Sequence, residues 1–552
     1  MTNDRGGAGR GILCVFHYRS KHSINLQRYG PSHCPDRSLS HDAPLQHDPV
    51  TSGGSCSSVH DSTSNSTQRP LWPFAACLIA VALSWAVVYP FWPYRTRLVD
   101  QGKIVDYSWL AFGMWIVGLG LWLWCMGMLF QGLRGQTFSQ NRMLVGGTSA
   151  AMLAASIAMY PTNAIDVFIY AARSRLLSEY GENPNAVPPI VHWDADPYMA
   201  YASKEWSDNL SPYAPLWNQI AAPITWLGGD SIAAAVIGFK MLSAISAIAI
   251  AWLVYDILRA RNPEWALVAA LFWLWNPLVI WDGIGNAHND VILMLPVVAA
   301  FWAWQRRHDS WVVPLLLASV LIKYVTIILI PIAVVALWRR NREWSERIGG
   351  ILLAAASAFF LIGFSLFPFY DLDAIEVSAR EQGVKVAASL AWVVMASIGE
   401  WDLGRVTVES VRNVAYIIVS AIIAIWMVAC WRNPGRLLVA AFEVMFAFML
   451  IASTNQRAWY VIWLVPLAAI LIPSMQWRRA LLWSVTSMCG HACTIWLWSV
   501  WDFKAWGYYW YTMIIVGVVF LPVLALTAWE ATTLIRQQRA ESGKLVTLPA
   551  MD

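Results

Sequence analysis

Acids, amides, one histidine and a few cations recur in this sequence at the ends of long apolar runs, and they set the chemistry open to it. Asp166 lies in Ala164-Ile165-Asp166-Val167-Phe168-Ile169-Tyr170, directly after such a run and among apolar neighbours. A carboxylate there is partly desolvated, which raises its pKa and suits it to take a proton from a hydroxyl; the simpler alternative is a helix-capping Asp. Asp194 and Asp196, in Trp193-Asp194-Ala195-Asp196-Pro197, form an Asp-x-Asp pattern able to hold a divalent cation between two carboxylates, or else belong to a solvated loop. A third group is the turn Asp282-Gly283-Ile284-Gly285-Asn286-Ala287-His288-Asn289-Asp290, between two apolar runs. Polar groups crowded there are costly unless they pair with one another or serve a site. Lys323-Tyr324 sits among Leu, Ile and Val, where a lysine either snorkels to the surface or offers its ammonium to a phosphate. Arg380 and Arg457 supply further cations, and Arg457 is followed by Ala458-Trp459-Tyr460. An arginine beside aromatics suits phosphate or sugar binding.

The elements that must position these residues are membrane helices. Of 552 residues, 58% are hydrophobic and only 13% charged, against about 25% in a soluble protein. Apolar runs near the ~20 residues needed to span a bilayer recur from Leu71 onward. Tryptophans mark run edges at Trp72, Trp92, Trp302, Trp338, Trp463 and Trp477, where amphipathic rings favour the headgroup layer. The fold class is therefore all-α, a polytopic transmembrane bundle. A net charge of +4 with no basic stripe excludes a nucleic-acid partner. Cys489 and Cys493 flank His491, but packing in a bundle explains them better than a metal or redox pair. Residues 1–70 are rich in Ser, His, Asp, Gly and Pro and read as a disordered tail, or as the product of a misassigned start codon.

Arginines in short loops orient the chain. Arg134, Arg142, Arg259, Arg261, Arg306, Arg307, Arg339, Arg432, Arg436, Arg478, Arg479, Arg536 and Arg539 are all expected on the cytoplasmic side. The run 311–337 has arginines on both flanks, so it is expected to dip in and return as two short helices with Lys323 near the apex. The apolar stretch 215–227 begins with Pro and is expected to lie along the outer surface. The result is about fourteen crossings with both termini inside and two long outer loops, 161–215 and 370–412. Loops that long are functional or disordered, and both mix aromatics with charges.

Taken together these stretches resemble the GT-C superfamily of polytopic glycosyltransferases, and more narrowly glycosyltransferase family 87 and the polyprenol-phosphate-mannose-dependent mannosyltransferases. The resemblance runs from about residue 143 to 471. It is carried by Asp166 with Tyr170 and Asn183-Pro184, by Ser211-Pro212-Tyr213-Ala214-Pro215-Leu216, by Asn276-Pro277-Leu278 through Asp290, by Lys323-Tyr324, and by Trp459-Tyr460-Val461-Ile462-Trp463-Leu464-Val465-Pro466. On this reading residues 71–142 are two additional helices, 143–475 the catalytic core, and 476–552 C-terminal helices with a short cytoplasmic tail. The resemblance implies a membrane hexosyltransferase of the bacterial plasma membrane and cell envelope. Its donor would be a polyprenyl-phosphate sugar and its acceptor a glycan or lipid, with Asp166 as base of an inverting step. Tyr170, His288, Asn289, Asp290, Lys323, Tyr324, Arg380, Arg457 and Trp459 are the expected substrate-binding residues. Some such enzymes hold a metal with acids of the first outer loop and others do not, which leaves Asp194 and Asp196 open. A polytopic transporter or lipid-linked saccharide flippase is the alternative. Transporters favour internal repeats and polar groups at the bilayer midplane, whereas here no repeat is evident and the polar groups sit at run ends.

Overall fold

The computed structural model describes residues 70–88, 109–161, 166–341, 343–383, 388–400, 407–499 and 507–546. The expected disordered tail falls outside these residues. Helices α1 (Trp72–Val88), α2 (Trp109–Leu133) and α3 (Arg142–Ala158) precede the first long loop, which contains α4 (Asp166–Ser178) and the short α5 (Lys204–Ser207). Next come α6 (Pro215–Gly228), α7 (Ile232–Arg261), α8 (Pro263–Leu274), α9 (Asp290–Gln305), α10 (Val312–Val320), α11 (Ile330–Arg340) and α12 (Trp344–Leu366). The second long loop carries α13 (Leu372–Gly383) and α14 (Leu390–Glu400). Then follow α15 (Val408–Arg432), α16 (Leu437–Ala447), α17 (Val465–Ile470), α18 (Met475–Ser499) and α19 (Gly507–Val546). No strand occurs among the described residues.

Six described helices are long and apolar enough to cross a bilayer, and a seventh span is formed if α8 and the π-helix Val279–Gly285, bent by 53°, count as one. In α12 only 6% of the apolar window is buried by protein, so nearly all of its surface is left for lipid. The chain is thus an all-α, multi-pass membrane protein. Six further apolar helices are 10–17 residues long. At 1.5 Å per residue these fall short of a ~30 Å hydrocarbon core, so the expectation of about fourteen crossings counts elements that do not span alone.

The bundle has a basic end. Arg134 pairs with Glu264 at 2.8 Å, and Asp256 accepts from Arg259 at 3.0 Å and from Arg306 Nε at 3.0 Å. Arg340 donates to the Trp304 carbonyl at 2.8 Å and pairs with Asp309 at 3.3 Å. Arg339 donates to the Trp431 carbonyl at 3.0 Å. The Arg340–Asp309 pair joins the start of the 309–340 segment to its finish, so the segment enters and returns as expected. Its turn lies at the opposite end, where Lys323 meets Asp290 at the start of α9. The α6 helix belongs to that end as well. Its first turn is tied to the turn of the hairpin by Ala214 N–H to Ile322 O (3.3 Å) and Leu216 N–H to Leu321 O (2.9 Å), and its last leads into α7.

One buried lysine fixes where the first long loop begins. Lys240, fully buried in α7, donates its ammonium to the Ser156 and Ile157 carbonyls, both at 3.2 Å, and to the Met159 carbonyl. These are acceptors that the end of α3 leaves open. Replacing Lys240 by Met strips these carbonyls of the donor, at a cost of roughly 1–3 kcal/mol for each group left unsatisfied. The expected outcome is a lowered melting temperature of the detergent-purified protein. An unchanged transition would mean that the carbonyls find other donors.

Candidate functional site

The end opposite the arginines gathers most of the candidate residues. Asp166 is the first residue of α4, where the positive end of the helix dipole favours a carboxylate. Its side chain keeps 26% exposure, and no hydrogen bond to it is found among the described residues. Burial nevertheless pushes its pKa above the ordinary carboxylate value, with Arg457 and then Lys323 pulling it back. Across from it, His288 Nδ1 lies 3.8 Å from Asp166 Oδ2, too far for a hydrogen bond. His288 is fully buried, stacks on Trp459 at 4.1 Å and 17°, and has no hydrogen-bond partner on either ring nitrogen. Burial, with Lys323 adding to it, drives its pKa well down, so the imidazole is neutral.

The backbone that presents His288 is unusual. After α8 the chain forms the π-helix Val279–Gly285, a form that concentrates at functional sites. A Cβ at Gly285 would run into the Met159 side chain, so glycine permits the close approach to the end of α3. Ala287 then takes φ 55°, a left-handed conformation that a non-glycine residue adopts only against roughly 1–2 kcal/mol of strain. The next three residues are His288, Asn289 and Asp290, all fully buried. Neither amide atom of Asn289 has a partner.

Asp290 anchors the other side. Its Oδ1 accepts from Lys323 Nζ at 2.8 Å and from the Trp463 indole at 2.5 Å. The Lys323 ammonium also lies over the rings of Tyr460 (4.6 Å), Trp463 (5.2 Å) and Tyr213 (5.8 Å). Tyr460 and Trp463 stack at 4.6 Å because the 3-10 turn Ala458–Trp463 eclipses residues three apart. Arg457, just before that turn, has no carboxylate within ion-pair distance among the described residues, although its charge reaches Asp166.

Several expected residues stand differently. Tyr170 is buried, accepting from the Tyr213 hydroxyl at 3.2 Å, and supports the wall of the site from behind. The Tyr324 hydroxyl is buried without a partner. Arg380 lies in α13, but its side chain falls outside the described residues. The two acids of the Asp-x-Asp pattern diverge. Asp194 is exposed, whereas Asp196 is buried against Arg175 at 2.5 Å, accepts from the Tyr180 hydroxyl at 3.0 Å, and caps the turn at Tyr198. That carboxylate is committed within the protein, and no three His, Cys, Asp or Glu among the described residues converge to hold a metal ion. Tyr213, Tyr460 and Trp463 were absent from the expected site residues; the Tyr460/Trp463 spacing of three was the available signal.

This geometry bears comparison with known proteins. A family model described as alpha-(1->6)-mannopyranosyltransferase, N-terminal domain, matches residues 74–339. The chain is similar to the alpha-(1->6)-mannopyranosyltransferases. Alpha-(1->6)-mannopyranosyltransferase A of Mycobacterium tuberculosis is 24% identical over 402 residues, covering 68% of this chain and 75% of that protein. Alpha-(1->6)-mannopyranosyltransferase A of Corynebacterium glutamicum is 28% identical over 194 residues, 35% of this chain and 38% of the relative. The B enzyme of the same organism is 25% identical over 212 residues, 38% of this chain and 34% of the relative. The chain therefore spans little more than a third of the length of the two corynebacterial relatives. The matched family stretch contains Asp166, His288, Asn289, Asp290 and Lys323, and it takes in α1 and α2, which the sequence reading had set apart as additions.

The divergence of the two acids is open to test. Replacing Asp196 by Asn removes the buried carboxylate from the Arg175 guanidinium and leaves it only the exposed Asp230 at 3.1 Å, a loss of roughly 1–3 kcal/mol. Asp194→Asn, on the surface, is expected to be neutral. Thermal melting of the two purified variants checks both; equal melting would contradict the structural role given to Asp196.

Proposed function

We propose that the protein is a membrane mannosyltransferase that moves a mannosyl group from a polyprenyl-phosphate donor to a glycan or lipid acceptor at the outer face. Support comes from the names of its relatives and from one arrangement above all. Asp166 is a partly exposed carboxylate, with no hydrogen bond to it among the described residues, that shares one end of the bundle with the cations Lys323 and Arg457. The basic loops at the other end support, by the positive-inside rule, a reading in which that end is cytoplasmic, the site faces outward and both termini lie inside.

In the proposed step Asp166 takes the proton from an acceptor hydroxyl. The hydroxyl oxygen forms a bond to the anomeric carbon while the bond from that carbon to the phosphate oxygen breaks, and the phosphate leaves with the electron pair. Attack opposite the leaving group inverts the anomeric centre. Asp290 is a poorer base, because its Oδ1 is spent on Lys323 and Trp463 and the residue is fully buried. Arg457, with no carboxylate partner among the described residues, is the readier cation for the departing phosphate, with Lys323 behind it. Neutral His288 and the unpaired amide of Asn289 have donors and acceptors to offer sugar hydroxyls.

General-base catalysis contributes about 10²–10⁴-fold, so Asp166→Asn is expected to lower transfer by that factor while the protein still inserts. Membranes supplied with labelled polyprenyl-phosphate mannose and a mannoside acceptor make the measurement; near-normal transfer would remove Asp166 from the base role. The pH profile gives an independent reading. Transfer should rise with pH through an acid limb lying above the ordinary carboxylate pKa of about 3.9. Arg457 is the largest of the charges holding that pKa down, so Arg457→Gln should move the limb to higher pH. A limb that stays in place would uncouple Arg457 from Asp166.

A further inference from the structure

At the basic end of the bundle several arginines meet an acid: Arg134 pairs with Glu264, Arg306 with Asp256 and Arg340 with Asp309. Arg339, in the last turn of α11, and Arg347, in the first turn of α12, are held differently, and both in the same way. Arg339 Nε donates to the Trp431 carbonyl at 3.0 Å, and its Cζ lies 4.9 Å from the centre of the Trp431 ring. Arg347 Nε donates to the Asn341 carbonyl at 2.9 Å, with Cζ 4.6 Å from Trp338 and 5.2 Å from Trp344. Those two rings meet edge to face at 6.0 Å. A guanidinium tied at Nε and set against an indole has lost much of its freedom before any ligand arrives. Yet among the described residues neither arginine has a carboxylate within ion-pair distance, and the terminal nitrogens of both are without an acceptor. Glu343 and Glu346, close in sequence, are exposed and pair with neither.

The helix that carries Arg347 is the one least covered by protein. With 6% of its apolar window buried, α12 must be wrapped by lipid. Trp344, Ile348, Leu352 and Phe359 share one of its faces at helical spacing, and each is more than half exposed. From Ile348 to Phe359 this stripe climbs roughly 16 Å at 1.5 Å per residue, about half of a ~30 Å hydrocarbon core. That is the depth of one leaflet. Trp344 heads the stripe, at the level where an amphipathic ring favours the headgroup layer.

We propose that Arg339 and Arg347 form a binding site for an anionic phospholipid, with the headgroup phosphate on their free nitrogens and an acyl chain along the stripe of α12. The charges select the headgroup. A planar guanidinium fork matches phosphate oxygens, and two such forks without an acid attract a lipid of net negative charge. A zwitterionic headgroup would bring its own cation up to them. The bound lipid would join the ends of α11, α12 and α15, since Trp338, Trp344 and Trp431 hold the two arginines from all three. The assignment is independent of the reaction at the opposite end of the bundle.

The test uses full-length protein in detergent, titrated with palmitoyl-oleoyl phosphatidylglycerol or with the phosphatidylcholine of the same chains, and reads bound lipid by native mass spectrometry. The wild type should retain phosphatidylglycerol at least tenfold better than phosphatidylcholine. Arg339→Gln and Arg347→Gln should each lower phosphatidylglycerol retention several-fold and leave phosphatidylcholine unchanged. Arg134→Gln removes an arginine already paired with Glu264 and should retain both lipids as the wild type does. A ligand that binds only the folded state stabilises it, so phosphatidylglycerol should raise the melting temperature of the wild type more than that of either variant. The same melting curves show whether a variant folds, and Arg339, being exposed, keeps the test available if Arg347→Gln does not. Equal retention of the two lipids by the wild type, or undiminished phosphatidylglycerol retention by the folded variants, overturns the proposal. Displacement of phosphatidylglycerol by glycerol phosphate alone also overturns it, by assigning the two arginines to a soluble phosphate.

Discussion

The candidate site is organised around a buried ion pair. Lys323 and Asp290 meet at 2.8 Å, with Asp290 fully buried. Taking two charges out of water costs several kcal/mol each, and their attraction repays this only when further hydrogen bonds complete the shell. Here the Trp463 indole supplies one such bond, and three aromatic faces surround the ammonium. The pair thereby joins three distant stretches of chain: the start of α9, the turn of the hairpin, and the 3-10 segment Ala458–Trp463. Neither partner can move without exposing the other as an uncompensated charge.

That constraint divides the work among the remaining charges. With Lys323 and Asp290 committed to each other, Asp166 is left, among the described residues, as the carboxylate without a hydrogen bond, and Arg457 as the cation without an acid. The two still feel one another, since Arg457 is the charge that most restrains the rise in the Asp166 pKa. A buried, fixed pair thus serves as scaffold, and the two more exposed charges stand apart from it. The buttress behind Asp166 follows the same logic: the Lys240 cap on α3 fixes the start of the loop from which α4 departs.

Much of this was legible in the sequence, for identifiable reasons. Arginines on both flanks of 311–337 require a segment that returns, and the Arg340–Asp309 contact closes it. The apolar runs mark the helices because bilayer burial demands them, and Asp166, His288, Asp290 and Lys323 stood out as polar groups where such groups are expensive. Pairings between distant segments were not legible. Asp196 reads locally as half of a cation pattern, yet its partner Arg175 lies 21 residues away and reaches it only because α4 packs beside the loop. Lys240 looks like one lysine in an apolar run, since nothing local announces the carbonyls of α3. The number of crossings does not follow from hydropathy alone, which responds equally to a short apolar helix buried in protein and to one that spans.

The polar groups left unpaired at the site bear on how it would work. His288 and Asn289 are fully buried, and together they leave four side-chain nitrogen and oxygen atoms without a partner, an arrangement that costs a protein roughly 1–3 kcal/mol per group. The left-handed Ala287 adds strain immediately before them. A turn selected only for stability would relieve both, by glycine at residue 287 and by apolar side chains at the next two. A turn selected to meet ligand hydroxyls keeps them, because donors and acceptors already oriented need not reorganise when the ligand arrives. Stacking of His288 on Trp459 holds the ring while leaving its nitrogens unspent, and neutrality lets one nitrogen donate and the other accept. On the proposed function, the strain, the unpaired atoms and the neutral imidazole share a single rationale, a turn made ready for a polyhydroxyl ligand before it binds.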